Sequence, residues 1–167
     1  MAKKAKTLDD LFQDTLKDIY YAENKILKAL PKMAKAAHAG ELKAAFQKHF
    51  KETEGQVARL EKVFKLIDVA PKGKKCEAIE GILEEGSEIM AEFKGTPALD
   101  AGLVSAAQAV EHYEIARYGT LKRWAEQLGL DHAARLLDAT RGEEKNTDRS
   151  LTALAESMVN AHAQAAE

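Results

Sequence analysis

The scarcity of helix breakers is the sequence feature that most constrains the fold of this chain. Its 167 residues include only 3 Pro and 10 Gly, and the helix-favouring residues Ala, Leu, Lys and Glu fill the long intervals between them. Apolar residues recur every three or four positions in these intervals, and no strand-like alternation interrupts them. Because this spacing places apolar side chains on one face of a helix, the sequence predicts an all-α protein with one buried stripe on each long helix.

The breakers divide the chain into five predicted helices. Gly40 is expected to close the first helix, Gly129 to end the fourth, and Asp131 to cap the fifth. Pro31 lies inside the first helix and predicts a kink or a local break there, since proline removes a backbone donor. The predicted helices span residues 8–38, 41–67, 75–93, 98–128 and 131–159.

The lengths of the connections predict how the helices pack. Because very short turns join the first helix to the second and the fourth to the fifth, each pair is expected to be antiparallel. The short helix at 75–93 then lies in the crossover between helices two and three of the bundle. This is the arrangement of a ferritin-like antiparallel four-helix bundle. We expect a single ferritin-like domain over residues 1–167, with frayed ends at 1–7 and 160–167.

Charge and hydropathy exclude several classes of partner. The 25 basic and 27 acidic residues give a net charge of −2, which provides no overall positive field for nucleic acid or an anionic membrane. The longest uncharged run, 101–110, is shorter than the roughly 20 residues that cross a bilayer. The basic amino terminus does not lead into the apolar segment of a secretory signal, and the single Cys76 excludes an intrachain disulfide. We therefore predict a cytoplasmic protein with neither nucleic-acid nor membrane partners.

Acidic residues interrupt the apolar stripe of each long helix near its midpoint. We compared their heights along the bundle, counted from the two predicted turns at a rise of about 1.5 Å per residue. These heights agree to within roughly one or two helical turns. We therefore expect these carboxylates to converge in the middle of the bundle. They are Glu23 in the first helix, Glu52 in the second, Glu111 and Glu114 in the fourth, and Glu144 and Asp148 in the fifth.

A buried group of carboxylates predicts bound cations. Such side chains repel one another and lose hydration, and divalent or trivalent cations remove both penalties. Hard oxygen ligands suit iron or manganese, and magnesium or calcium are further alternatives. A single helical glutamate is usually a solvated surface residue, so the hypothesis depends on the matched heights of the whole set.

Three further polar residues are predicted to lie beside these ligands. His49 is interpreted as a core residue or a neighbour that orients a ligand, although it could itself bind metal. Gln56 is placed on the same inward face of the second helix. Tyr118 lies one turn from Glu114 and is a candidate hydrogen-bond donor to it.

Five short segments carry a family resemblance. They are Tyr-Tyr-Ala-Glu-Asn at 20–24, Glu-Thr-Glu-Gly-Gln at 52–56, Lys-Cys-Glu-Ala at 75–78, Glu-His-Tyr-Glu-Ile-Ala at 111–116 and Glu-Glu-Lys-Asn-Thr-Asp at 143–148. With these segments the chain resembles the bacterial YciE/YciF-like proteins from about residue 8 to residue 157. The resemblance implies a ferritin-like fold, a dimer, a dinuclear metal site and an association with stress responses. We therefore expect two iron ions, with manganese or another divalent cation as alternatives, and a homodimer that uses Ala-rich faces such as 101–109.

The spacing of polar residues departs from the Glu-x-x-His pattern of ferritins. Glu52 is followed at that spacing by Gly55, and Glu144 by Thr147. The polar residues fall one position later, at Gln56 and Asp148. Because glutamine is a weaker ligand than histidine or a carboxylate, a mononuclear, asymmetric or degenerate site stays open beside the dinuclear one.

Two functions are consistent with these features. The first is a di-metal carboxylate oxidoreductase that oxidises iron or reduces a small oxidant such as oxygen or peroxide. The second is a non-catalytic structural or stress protein in which the bundle serves assembly and any metal is structural. The fold cannot decide between them, because this architecture carries many functions.

Overall fold

The computed structural model describes residues 5–165, and within this range the chain is helical without any strand. The prediction of an all-α protein is confirmed. None of the described helices has the length and apolar character needed to cross a membrane. The elements are α1 (Leu8–Ala36), α2 (Gly40–Leu66), α3 (Glu77–Glu92), α4 (Leu99–Gln127), α5 (Asp131–Leu154), a π-helical turn (Ala155–Val159) and α6 (Asn160–Gln164).

The four long helices pack in a closed ring. Helix α1 contacts α2, α2 contacts α5, α5 contacts α4, and α4 contacts α1. The carboxylate of Asp100, in the first turn of α4, accepts hydrogen bonds from the backbone N–H groups of His38 and Ala39 in the α1–α2 turn. Helix α4 therefore begins at the end of the bundle where α1 ends. Helix α3 packs against α1 and α4 as the crossover, which confirms the predicted ferritin-like bundle.

The boundary between the first two helices differs from the prediction. Gly40 does not close α1 but is the first residue of α2. Helix α1 ends at Ala36, and the N–H of Ala37 still donates to the carbonyl oxygen of Met33. Helix α1 also runs through Pro31 without interruption, so the local break is wrong, and the kink, which was the other alternative there, stays a prediction.

The turn between α4 and α5 depends on one glycine. Gly129 has a φ of +74°, a left-handed conformation that glycine adopts without steric cost, so it ends α4 as predicted. The chain then reverses tightly, since the N–H of Leu130 donates to the carbonyl oxygen of Ala125 at 2.8 Å. Asp131 is the first residue of α5 and not its cap, because Leu130 holds the cap position without a side-chain hydrogen bond. Its negative charge still favours the positive end of the helix.

The ends of the chain are described only in part. Residues 1–4 and 166–167 lie outside the described residues, so part of the fraying expected at 1–7 and 160–167 falls there. At the amino-terminal side Thr7 forms a capping box with Asp10, which fixes the start of α1. At the other side residues 160–164 form α6.

Small residues bring α3 close to α4. A Cβ atom on Gly102 would lie 2.5 Å from Cγ2 of Ile89, and one on Gly86 would lie 3.5 Å from Cβ of Ala106. Much of the Ala-rich stretch 101–109 therefore packs inside the chain, where its small side chains permit the close approach of the crossover helix. The homodimer stays a prediction.

The apolar core surrounds a polar layer at mid-height. On α1, Phe12, Leu16 and Ile19 are buried on one side of Glu23, and Ile26 and Leu30 are buried on the other. Glu23 itself has no exposed surface, although it occupies the same stripe. The bundle thus encloses a polar layer between two apolar ones.

Asp100→Ala should destabilise the fold by about 2 kcal/mol. The carboxylate of Asp100 is 4% exposed and accepts hydrogen bonds of 2.8 and 2.7 Å from the α1–α2 turn, which alanine would leave without an acceptor. Urea denaturation followed by circular dichroism would measure the change. The control Glu85→Ala removes an exposed carboxylate from α3 and should alter stability by less than about 0.5 kcal/mol. Equal stabilities of the two variants would contradict this role of Asp100.

Candidate metal centre

Four buried side chains from three helices meet in the polar layer. They are His49 on α2, Glu111 and Glu114 on α4, and Glu144 on α5, and one potential ligand atom from each lies within 4.8 Å of the others. Each of these residues is at most 3% exposed. Glu111 and Glu114 face the same way because residues three apart share one side of a helix. We call these four residues the buried group.

His49 connects the helices within the buried group. Its Nε2 atom lies 3.0 Å from Oε1 of Glu111 and 3.9 Å from Oε2 of Glu144. The sequence interpretation allowed His49 to be a core residue, a neighbour of the ligands or a ligand, and the structure places it among the carboxylates. The available signal was its position three residues before Glu52, which reverses the Glu-x-x-His order.

Glu23 brings the first helix next to the buried group. Its Oε1 atom accepts a hydrogen bond from the hydroxyl of Tyr118, and both side chains are fully buried. The sequence had suggested Glu114 as the acceptor for Tyr118, so the phenol pairs with a different carboxylate. Burial raises the pKa of Glu114, and the charge of the nearby Glu23 raises it further.

The two remaining acidic residues of the predicted set lie outside the buried group. Glu52 is at its edge: the side chain is 27% exposed, and Oε2 lies 3.8 Å from Nδ1 of His49. Asp148 instead accepts a hydrogen bond of 3.0 Å from Gln108 and lies 3.2 Å from Nε2 of His112. The structure therefore brings together Glu111, Glu114 and Glu144 from the predicted set, with Glu23 adjacent.

Beside the buried group, α2 and α5 are held together by a network of which sequence reasoning had selected only Gln56 and Glu144. Arg59 donates to both carboxylate oxygens of Glu143, at 3.0 and 2.8 Å, and to Oγ1 of Thr140 at 2.7 Å. Gln56 donates to Glu143 at 3.1 Å and also to Oε1 of Glu144. The paired geometry of arginine and carboxylate fixes orientation as well as distance. The sequence contains only a weak signal for this network, the spacing of three residues between Gln56 and Arg59.

In three of the buried carboxylates one of the two oxygens has a close polar partner. Glu23 receives a hydrogen bond from Tyr118 on one oxygen, Glu144 receives one from Gln56, and one oxygen of Glu111 faces His49. The second oxygen of each of these carboxylates has no hydrogen-bond partner in the described structure, and Glu114 has a partner for neither oxygen. Buried polar atoms without partners are rare because each costs free energy. Carboxylate oxygens and an imidazole are ligands suited to iron or manganese, so the residues present fit a metal centre.

Burial disfavours the ionised carboxylates. It raises the pKa of Glu23 to about 7. It also raises the pKa values of Glu114 and Glu144 well above their usual range, and the neighbouring carboxylates raise them further. Without a cation these carboxyls therefore retain protons at a higher pH than exposed ones do, whereas a cation would favour their ionised forms.

His49 supplies a compensating positive charge. Burial lowers the pKa of its imidazole, but the carboxylates of Glu111 and Glu52 outweigh this effect and the net pKa is raised to about 9. In return, His49 is the main cause of the lowered pKa of Glu52. The imidazolium therefore neutralises one charge of the cluster, and deprotonation would turn His49 into a metal ligand.

Comparisons with known proteins identify close relatives of the chain. A family model described as a domain of unknown function, DUF892, matches residues 7–164. Protein YciF of Escherichia coli (strain K12) is 45% identical over 160 residues, which cover 95% of this chain and 96% of YciF. The crystal structure of the E. coli stress protein YciF matches with a TM-score of 0.89 over 93% of this chain and 99% of that chain.

Two further solved structures are similar. YcfI from Rhodopseudomonas palustris, described as a candidate structural protein, is 45% identical and matches with a TM-score of 0.87 over 91% of this chain and 97% of its own. A Xanthomonas campestris protein with 24% identity matches with a TM-score of 0.71, over 93% of this chain and 95% of its own, and shows the fold alone. Together these similarities confirm the resemblance that the sequence motifs indicated.

Glu23→Gln should remove a pH-dependent loss of stability. Gln keeps an oxygen that can accept the hydrogen bond of Tyr118 but carries no charge. Because folding raises the pKa of Glu23 from 4.5 to about 7, its contribution to stability is complete below pH 4.5 and is lost as the pH rises to about 7. In the presence of a chelator, the wild type should lose about 3 kcal/mol relative to Glu23→Gln over this range.

Urea denaturation at a series of pH values, with a chelator present throughout, would measure this difference. Glu85→Gln, on the exposed surface of α3, should follow the wild type at every pH. Parallel stability curves for the wild type and Glu23→Gln would show that Glu23 ionises as easily in the fold as in the unfolded chain.

Proposed function

The chain belongs to the family described as the domain of unknown function DUF892, and from this premise we propose that it is a stress-associated protein whose core binds two iron or manganese ions and reacts with a small oxidant. The description of the E. coli relative YciF as a stress protein supports the first part of this proposal. The chemistry of the polar layer supports the second.

The observation that carries the proposal is the set of buried carboxylates with free oxygens. Glu23, Glu111, Glu114 and Glu144 are each at most 1% exposed, and each has at least one oxygen without a hydrogen-bond partner. Four carboxylates would balance the charge of two divalent cations. Without cations, the same groups must take up protons or bear mutual repulsion in a medium that screens it poorly.

The chain's own residues have distinct roles in this proposal. The buried group would hold one ion, and Glu23 would complete the ligands of a second ion shared with Glu114. Iron bound there would supply electrons to dioxygen or peroxide. Tyr118 and Gln56 orient Glu23 and Glu144 through their hydrogen bonds, and the apolar layers above and below limit the access of water.

A second function has support from a different observation. Tyr118, Gln56 and the imidazolium of His49 already give a partner to one oxygen of three carboxylates, so the cluster is partly compensated without metal. A non-catalytic protein could use such a cluster, with or without an ion, to stabilise its bundle. The description of the R. palustris relative as a candidate structural protein favours this alternative.

Metal binding is expected at two ions per chain, and Glu114→Gln should abolish or strongly weaken it. Glu114 offers two buried oxygens without partners, and this isosteric change replaces one of them by an amide nitrogen and removes the negative charge. Apparent affinity should fall roughly tenfold or more. Equilibrium dialysis against Fe(II) without oxygen, or against Mn(II), followed by elemental analysis would measure stoichiometry and affinity. The control Glu85→Gln should bind as the wild type does, and equal binding by Glu114→Gln would refute this centre.

Consumption of the oxidant distinguishes the two functions. If the iron-loaded wild type is an oxidoreductase, it should consume dioxygen or peroxide well above the rate of the Glu114→Gln variant and of free iron. An oxygen electrode and a peroxide assay would measure the rates. If consumption stays at background while bound metal raises the melting temperature, the structural function is correct.

A further inference from the structure

A small cavity joins the surface to the buried group. It has a volume of about 60 Å³ and lies between α2, α4 and α5. Its inner wall includes His49 and Glu111, and its outer wall includes the exposed residues Lys48 and Ser150. Nδ1 of His49 and Oε2 of Glu111 are buried and have no hydrogen-bond partner. The cavity thus connects exposed side chains to two buried residues that carry unsatisfied polar atoms.

The dimensions of the cavity restrict what can pass. A water molecule needs at least about 10–15 Å³ of such volume, so the cavity accommodates a few water-sized particles and no larger organic molecule. An ion that sheds its hydration shell needs oxygen ligands along its path. Glu52 and Thr147, which also line the cavity, supply them between the surface and Glu111.

Glu52 occupies a distinct position on this path. Its side chain is 27% exposed, so it contacts both water and the cavity, and Oε2 lies 3.8 Å from His49 and 3.5 Å from Oγ1 of Thr147. Its other oxygen lies 3.2 Å from Nζ of Lys48. A carboxylate that faces solvent can exchange ligands more readily than one sealed in the core, and a neighbouring ammonium group repels an incoming cation.

We propose that this cavity is the route by which a divalent cation enters the core, that Glu52 is its first protein ligand, and that Lys48 slows its entry. This inference rests on the metal binding proposed above and adds the path and the residues that control it. Glu52 is then a transfer ligand, which accounts for its place beside the buried group and not within it. The ion passes from Glu52 to Glu111 at the inner end, and His49 becomes a ligand there when its imidazolium gives up a proton to the water in the cavity.

A pair of lysines on α2 offers a matched test. Lys48 and Lys51 have side chains 71% and 74% exposed, and each pairs with a glutamate on its own helix, but only Lys48 lines the cavity. Lys48→Glu should accelerate Mn(II) uptake roughly three- to tenfold at low ionic strength, because it replaces a repelling charge by an attracting one. Lys51→Glu should change the rate much less. The difference should shrink as salt is added.

Two further variants test the first ligand and the width of the path, independently of the charge of Lys48. Glu52→Gln should slow uptake roughly three- to tenfold while the final stoichiometry stays at that of the wild type. Ser150→Phe places a large side chain at the outer wall and should slow both uptake and release, since both directions use one path. The loss of the electron paramagnetic resonance signal of free Mn(II) measures uptake, and transfer of bound Mn(II) to excess chelator measures release.

The outcomes distinguish this inference from the proposed function. Equal uptake rates in the wild type, Lys48→Glu and Ser150→Phe, with normal stoichiometry, would overturn the route and leave the metal centre intact. Reduced stoichiometry at an unchanged rate in Glu52→Gln would make Glu52 a resident ligand and overturn its transfer role. A wild type that binds no Mn(II) and no Fe(II) would overturn both the centre and the route.

Discussion

The burial of four carboxylates in one layer is the constraint on which the rest of this structure depends. Charged groups inside a protein lose hydration, and like charges near one another add repulsion that the interior screens poorly. Glu23, Glu111, Glu114 and Glu144 all lie in this layer with almost no exposed surface. A chain that keeps such a layer must compensate it locally, and the surrounding core must be stable enough to bear the remaining cost.

The bundle provides that stability by enclosing the layer between apolar segments of the same helices. On α1 the buried stripe is apolar before and after Glu23, so the carboxylate interrupts a continuous packing surface only once. The crossover helix α3 adds a second apolar contact outside α1 and α4, made close by Gly86 and Gly102. Two tight turns keep the helices in register, one through the left-handed Gly129 and the other through the carboxylate of Asp100. The site is therefore positioned by long rigid helices and not by loops.

The sequence predicts the height of a residue along such a bundle better than the direction in which its side chain points around the helix axis. Counting from the turns placed Glu23, Glu111, Glu114 and Glu144 at one level, and the structure brings them close together. Asp148 turns toward Gln108 and His112 instead. Glu52 stays at the edge of the layer, with one oxygen beside Lys48 and the other 3.8 Å from His49. Helical spacing gives each side chain an angle of about 100° per residue, which leaves a residue at the edge of the stripe free to point either way. Such choices, and the pairing of Arg59 with Glu143, depend on neighbouring helices that one sequence segment does not specify.

The hydrogen bonds around the carboxylates explain how the layer can be both stable and able to bind. If donors satisfied every carboxylate oxygen, the repulsion within the layer would be relieved, but no oxygen would remain to bind a cation. If no donors were present, the unpaired charges would oppose folding before any cation arrived. Tyr118 and Gln56 each donate a hydrogen bond to one oxygen of a different carboxylate, and His49 forms an ion pair with one oxygen of Glu111. The other oxygen of each of these carboxylates stays free of hydrogen bonds in the described part of the chain. Within the described layer, Glu114 has no hydrogen-bond partner on either oxygen, so it is the carboxylate at which a bound cation would satisfy the most unpaired atoms.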